Sequence, residues 1–160
     1  TGIDTLTGER VRRLKSKLVG DTFMVTYGDG VCDVDVGDLV AFHRKMGKLA
    51  TVTAVRPPAR FGGLNVNGTM VKSFTEKPQA GEGWINGGYL VLEPGVFDYL
   101  DEGHVSLEIG ALERLAGDGQ LACYKHDKFW QCMDTTRDLQ ILRRHWEGGN
   151  PPWKVWSDEH

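Results

Sequence analysis

A chain of 160 residues with 40% apolar content is long enough for one domain with a real core. Its formal net charge of −3 provides no basic face of the kind nucleic acid requires, and no apolar run is long enough to span a bilayer. Three scattered cysteines, Cys32, Cys123 and Cys132, fit neither a disulfide framework nor a zinc ribbon, and the five histidines show no metal-ligand spacing. A reducing cytoplasm is the simplest setting for such a chain.

Thr1 to Arg10 is polar, with Thr7-Gly8 as a turn signal. Val11, Leu14 and Leu18 recur at helical spacing, which predicts a short amphipathic helix over Glu9 to Leu18. Phe23 to Tyr27 is apolar and β-branched, as a buried strand is, and it runs into Gly28-Asp29-Gly30. A carboxylate between glycines at the carboxyl end of a strand is placed where open α/β sheets bind ligands. An Asp with few other ligands suits Mg²⁺, and the same Asp-Gly also serves as a plain turn. Asp35 or Asp38 starts the next helix, with Leu39, Val40, Phe42, His43 and Met46 on its apolar side and Gly47 ending it. Leu49 to Val55 alternates as a second strand, so strand, helix and strand predict a βαβ unit with a parallel pair.

After Arg56-Pro57-Pro58, two short strands flank Asn67-Gly68, a strong hairpin signal. Glu76-Lys77-Pro78 closes that hairpin, and a loop leads to a long strand, Trp84 to Leu92. Gly87 and Gly88 inside that strand predict a bulge or a close approach. Pro94 to Leu100 and Glu108 to Ala116 read as short helices, and Leu121 to His126 as a strand. Asp134 or Thr135 caps a helix carrying Leu139, Leu142 and Trp146, and the tail from Gly148 is not helical. The expected architecture is one α/β domain over 1–160.

Several motifs occur in a fixed order: Tyr27-Gly28-Asp29-Gly30, Arg56-Pro57-Pro58-Ala59-Arg60-Phe61-Gly62, Phe74-Thr75-Glu76-Lys77-Pro78, Ile85-Asn86-Gly87-Gly88, Phe129-Trp130-Gln131, Met133-Asp134-Thr135 and Pro152-Trp153-Lys154. Together they resemble the glucose-1-phosphate cytidylyltransferases, a branch of the sugar nucleotidyltransferases, from Thr1 to about Trp156. The resemblance implies a Rossmann-like nucleotidyltransferase fold with a mixed, mostly parallel sheet and a β-hairpin insertion. It implies transfer of a cytidylyl group from CTP to α-glucose 1-phosphate, giving CDP-glucose and pyrophosphate, with Mg²⁺ as cofactor. Asp29 and Asp134 match the metal carboxylates, and Lys77 matches the lysine that meets the sugar phosphate. Glu76, Asn86 and Gly87 match the sugar pocket, Thr7 and Gly8 lie where the family approaches the nucleotide, and Tyr27 and Glu108 complete the implied substrate-binding set. Read without the resemblance, Glu76 to Pro78 is a solvated strand end, Asn86 to Gly88 a bulge and Asp134 a helix cap. Trp84, Phe129 and Trp130 read as core or pocket wall.

The departures from the family pattern are equally specific. The glycine-rich triphosphate loop with its Thr-Arg pair has no counterpart here, so the expectation is an N-terminally truncated chain, the carboxyl-terminal two-thirds of the family. Glu9 replaces a glycine and would add negative charge near a triphosphate. Only Glu108 remains of a paired-glutamate motif, and Cys132 stands where proline is usual, which loosens the Asp134 loop. An unpaired sheet edge implies a homo-oligomer. The rival readings are a non-catalytic phosphosugar-binding fragment, and a nucleotidyltransferase that uses dTTP or UTP.

Overall fold

A computed structural model describes residues 1–18, 20–57, 63–67, 69–75, 83–103 and 105–156. Two compact units are distinguished, one of 1–27, 35–53 and 88–124, the other of 28–34, 54–87 and 125–160. Strands cross from one unit into the other along the chain, so the sequence visits each unit several times.

The first unit holds most of a four-stranded sheet of order β1-β6-β3-β7, formed by β1 (Phe23–Thr26), β3 (Ala50–Val55), β6 (Ile85–Leu92) and β7 (Leu121–His126). β1 pairs antiparallel with β6, Phe23 opposite Leu92 and Thr26 opposite Tyr89. The expected parallel pair of β1 and β3 is therefore corrected: β6 lies between them, because a strand far along the chain supplies the neighbour that local pattern reading cannot see. The expected α/β class holds, with a mixed sheet.

Helix α3 (Val36–Met46) begins where the Asp35 carboxylate accepts from the Asp38 N–H, and it ends at Gly47, whose φ of 58° is left-handed. The predicted helix over Glu9 to Leu18 is broken into α1 (Thr7–Arg13) and α2 (Lys15–Leu18) at Leu14. Leu107–Leu112 forms a wide helical turn instead of a regular helix, because Ile109 and Gly110 leave helical geometry (Gly110 φ 109°), and only α4 (Glu113–Gly117) is regular. Phe23, Ala50, Leu90, Leu92, Leu107 and Leu115 are buried together, and Phe23 stacks on Phe97 at 5.5 Å between ring centroids. Burying each large apolar side chain contributes roughly 1.5–3 kcal/mol, which holds the sheet to the turns that cover it.

The second unit contains two ribbons. β4 (Gly63–Asn67) and β5 (Met70–Thr75) form the predicted hairpin, with a register irregularity between Asn65 and Val66. β2 (Gly30–Cys32) pairs antiparallel with β8 (Trp130–Cys132), Gly30 opposite Cys132 and Cys32 opposite Trp130. Helix α5 (Thr136–Glu147) follows, and Thr135, not Asp134, is its cap: Thr135 and Asp138 form a reciprocal capping box. Among the described residues, no helix is long and apolar enough to cross a membrane.

Candidate functional site

In the second unit, Asp29 and Asp134 come to the same end of the β2–β8 ribbon although they are far apart in sequence. The Met133 N–H donates to the Asp29 carbonyl at 2.7 Å, one step beyond the Gly30–Cys132 pair. That bond places Asp134 beside the Asp29 turn, and both residues are exposed. The segment carrying Asp134 is pinned on its other side by the capping box, where the Thr135 N–H donates to Asp138 at 3.0 Å. Gln131 adds a bond from its amide to Asp138 at 3.2 Å and one to the Cys132 carbonyl at 2.9 Å. Cys132 stands in this loop with its carbonyl taken by the Gln131 amide.

Asn86 and Gly87 belong to the same unit. The Trp130 indole N–H donates to the Gly87 carbonyl at 2.8 Å, and a Cβ on Gly30 would stand 3.6 Å from that indole nitrogen and 3.9 Å from the Gly87 oxygen. Trp130 therefore ties the opening of β6 to the Gly-Asp-Gly turn. Trp84, two residues before Asn86, packs beneath the Arg56 guanidinium (4.6 Å to the ring centroid) and the Lys125 ammonium (5.4 Å). Glu76 and Lys77 lie outside the described residues, as does the run from Pro58 to Gly62.

In the first unit, Thr7, Tyr27 and Glu108 meet around one carboxylate. The Thr7 hydroxyl donates to Glu108 Oε2 at 2.9 Å, Ser106 donates to the same oxygen, and the Tyr27 hydroxyl donates to Oε1. Thr7 in turn accepts from the Leu107 N–H at 2.9 Å. Burial works to push the Glu108 carboxyl up, but the hydroxyls of Ser106, Tyr27 and Thr7 and its own N–H hold it below the usual carboxylate value. Gly8 is a packing position here: a Cβ would stand 2.7 Å from the Val105 carbonyl, so α1 approaches the Val105–Leu107 backbone directly. Gly88, with φ of 80°, admits the Tyr27 ring, whose atoms would lie 3.0–3.1 Å from an added Cβ. Gly88 thus marks a close approach by the protein's own Tyr27 side chain.

Glu9 does not act as a free negative charge. Its carboxylate is buried and held by Arg12 and Arg13, both at 2.8 Å, and these guanidiniums lower its pKa to about 2. Ser106 was missed at the sequence level, although a serine two residues before Glu108 at the start of a turn is a capping signal. A second missed cluster is Cys32, Asp33 and His126, whose donor atoms lie within 4.8 Å of one another. His126 and Asp33 are far apart in sequence, so no spacing motif could reveal them.

The family pattern described as nucleotidyl transferase matches residues 9–158. The chain is 44% identical over 158 residues to a glucose-1-phosphate cytidylyltransferase of Salmonella typhimurium, covering 98% of this chain and 62% of the relative's length. It is 34% identical over 126 residues to the mannose-1-phosphate guanylyltransferase catalytic subunit beta of Dictyostelium discoideum, covering 75% of this chain and 35% of that one. Among solved structures, HddC from Yersinia pseudotuberculosis aligns with a TM-score of 0.66 at 19% identity, over 91% of this chain and 64% of that chain. The ordered motifs, the mixed sheet and a match through 9–158 lead to one conclusion: the chain belongs to the nucleotidyl transferase family.

Proposed function

We propose that this chain carries the sugar-phosphate and metal-binding part of a glucose-1-phosphate cytidylyltransferase, which makes CDP-glucose and pyrophosphate from CTP and glucose 1-phosphate. The observation that carries the reading is the meeting of Asp29 and Asp134 at one end of the β2–β8 ribbon. The 44% identity to a relative of that name supports it. Both units serve one nucleotidyltransferase domain on this reading, since β3, β6 and β7 run from one into the other and the family match covers both.

The residues present fit a hard divalent cation. Asp29 and Asp134 offer oxygen donors only, and their exposure leaves room for the waters and phosphate oxygens that Mg²⁺ keeps around it. Such an ion, when bound, neutralises phosphate charge during in-line displacement at the α-phosphorus. The chain's own part is positioning. Asp29 and Asp134 fix the anionic end of the site, Asn86 and the Gly87 backbone shape the sugar side, and Lys77 supplies a cation to the sugar phosphate. Glu76 accepts from sugar hydroxyls. Thr7 and Gly8 lie toward the nucleotide, and Tyr27 and Glu108 complete the substrate-binding set. The assembly is a homo-oligomer of the cytoplasm with no nucleic-acid or membrane partner.

The deciding assay is pyrophosphate release from CTP, glucose 1-phosphate and Mg²⁺, with dTTP, UTP and GTP in parallel and Asp29→Ala as control. CTP-selective release that Asp29→Ala abolishes is expected. Glucose 1-phosphate binding without any release would make the chain a phosphosugar-binding module, and a preference for another base would move it to a different branch of the family.

A further inference from the structure

Cys32, Asp33 and His126 lie in the second unit, at the end of β2 opposite the Asp29 turn and at the end of β7. His126 is buried, 6% exposed, and Asp33 is 22% exposed at its side chain. His126 Nε2 stands 2.8 Å from Asp33 Oδ1 and 3.2 Å from the Phe129 carbonyl. Both partners accept only, so this nitrogen carries the ring proton. Cys32 is a free, half-buried thiol beside them. Sulfur, nitrogen and carboxylate oxygen lie within 4.8 Å of one another.

We propose that Cys32, Asp33 and His126 bind one borderline-soft divalent cation of the zinc class through Sγ, a carboxylate oxygen and Nε2, with a fourth position left for water. Ligand choice supports this. Tetrahedral zinc takes Cys, His and Asp together, at bond lengths that set the donor atoms roughly 3.3–3.6 Å apart. A spread within 4.8 Å closes to that by small side-chain adjustments on two strand ends that the backbone already fixes. The donor set is also the opposite of the Asp29–Asp134 pair: soft and mixed here, oxygen only there, so the two places select different ions. On binding, the Cys32 thiol gives up its proton to solvent and the His126 ring proton moves from Nε2 to Nδ1, a net release of one proton per metal.

Cobalt(II) titration of the whole chain, followed by visible absorption, tests this. One equivalent should give a sulfur-to-cobalt charge-transfer band that Zn²⁺ displaces. Cys32→Ser, which changes one atom and leaves the His126–Asp33 bond in place, should remove the band. His126→Gln should weaken binding by about 100-fold or more, as loss of a direct ligand exceeds the 10–100-fold of an outer partner. Cys123→Ser and Cys132→Ser should leave the band, and so should a double Asp29→Asn, Asp134→Asn variant, which separates this site from the proposed Mg²⁺ site. Absence of the band, its survival in Cys32→Ser, or its loss in the Asp29, Asp134 double variant would each overturn the proposal.

Discussion

Glu108 and Asp29 are both carboxylates implied for one active centre, yet they sit in opposite conditions. Glu108 is part-buried and accepts from three side-chain hydroxyls, those of Thr7, Ser106 and Tyr27. Asp29 is exposed, at a turn whose backbone is held by Met133. A carboxylate saturated by its own protein fixes geometry, whereas an exposed one keeps its lone pairs for an incoming ion or substrate. The first unit thus spends a carboxylate on tying α1, β1 and the Leu107 turn together, while the second exposes Asp29.

The largest effect tests the exposed pair. Asp29→Asn or Asp134→Asn should cut nucleotidyl transfer by on the order of 10²–10³-fold, the scale of losing one charge-stabilising group, while thermal midpoints stay nearly unchanged. A drop in midpoint as large as the one expected for Glu108 would erase the distinction. Glu108→Ala should cost about 1–3 kcal/mol by denaturant unfolding, because three hydroxyls lose a shared acceptor. Tyr27→Phe should cost less, since Thr7 and Ser106 keep theirs. Gly88→Ala should cost about 1–3 kcal/mol from backbone strain at positive φ and the Tyr27 contact. A Gly88→Ala, Tyr27→Ala double variant should then show less than the summed loss, as the contact would be gone already.

The smallest effect is a pH dependence in the first unit. Glu9 has its pKa lowered to about 2 by Arg12 and Arg13, so its charged form stabilises the fold above the ordinary carboxylate range. That stabilisation should shrink as pH falls toward about 2. The midpoint difference between the native chain and Glu9→Gln, measured across an acid series, should therefore be largest near neutrality and vanish at the acid end. A difference that grows on acidification would refute the ion-pair account.

Local pattern was legible in the sequence wherever a residue acts on its own neighbourhood. Asp35 capped α3, Gly47 ended it, Pro94 opened a 3-10 turn, and Asn67-Gly68 marked the β4–β5 hairpin. Failures came at a positive-φ glycine and where a distant strand intervened. The helix over Glu108 to Ala116 broke because Gly110 turns left-handed beside Val105, and β1 found β6 instead of β3. For the candidate site, the sequence named Asp29, Asp134, Asn86 and Gly87, and the fold put the two aspartates together, with Trp130 binding the Gly87 carbonyl. It named Thr7, Tyr27 and Glu108, but not that Thr7 and Tyr27 both donate to Glu108, joined there by Ser106.

Composition, motif order and local signals by themselves determined the family and most helices and strands, because these depend on side-chain identity and on neighbours within a turn or two. Tertiary structure alone decided which distant strands pair, that Glu108 is a hydrogen-bond hub for Thr7 and Tyr27, and that Cys32, Asp33 and His126 converge. Each of these is a contact between segments far apart in the chain. Only the closing of long loops around a shared core brings such residues within bonding distance.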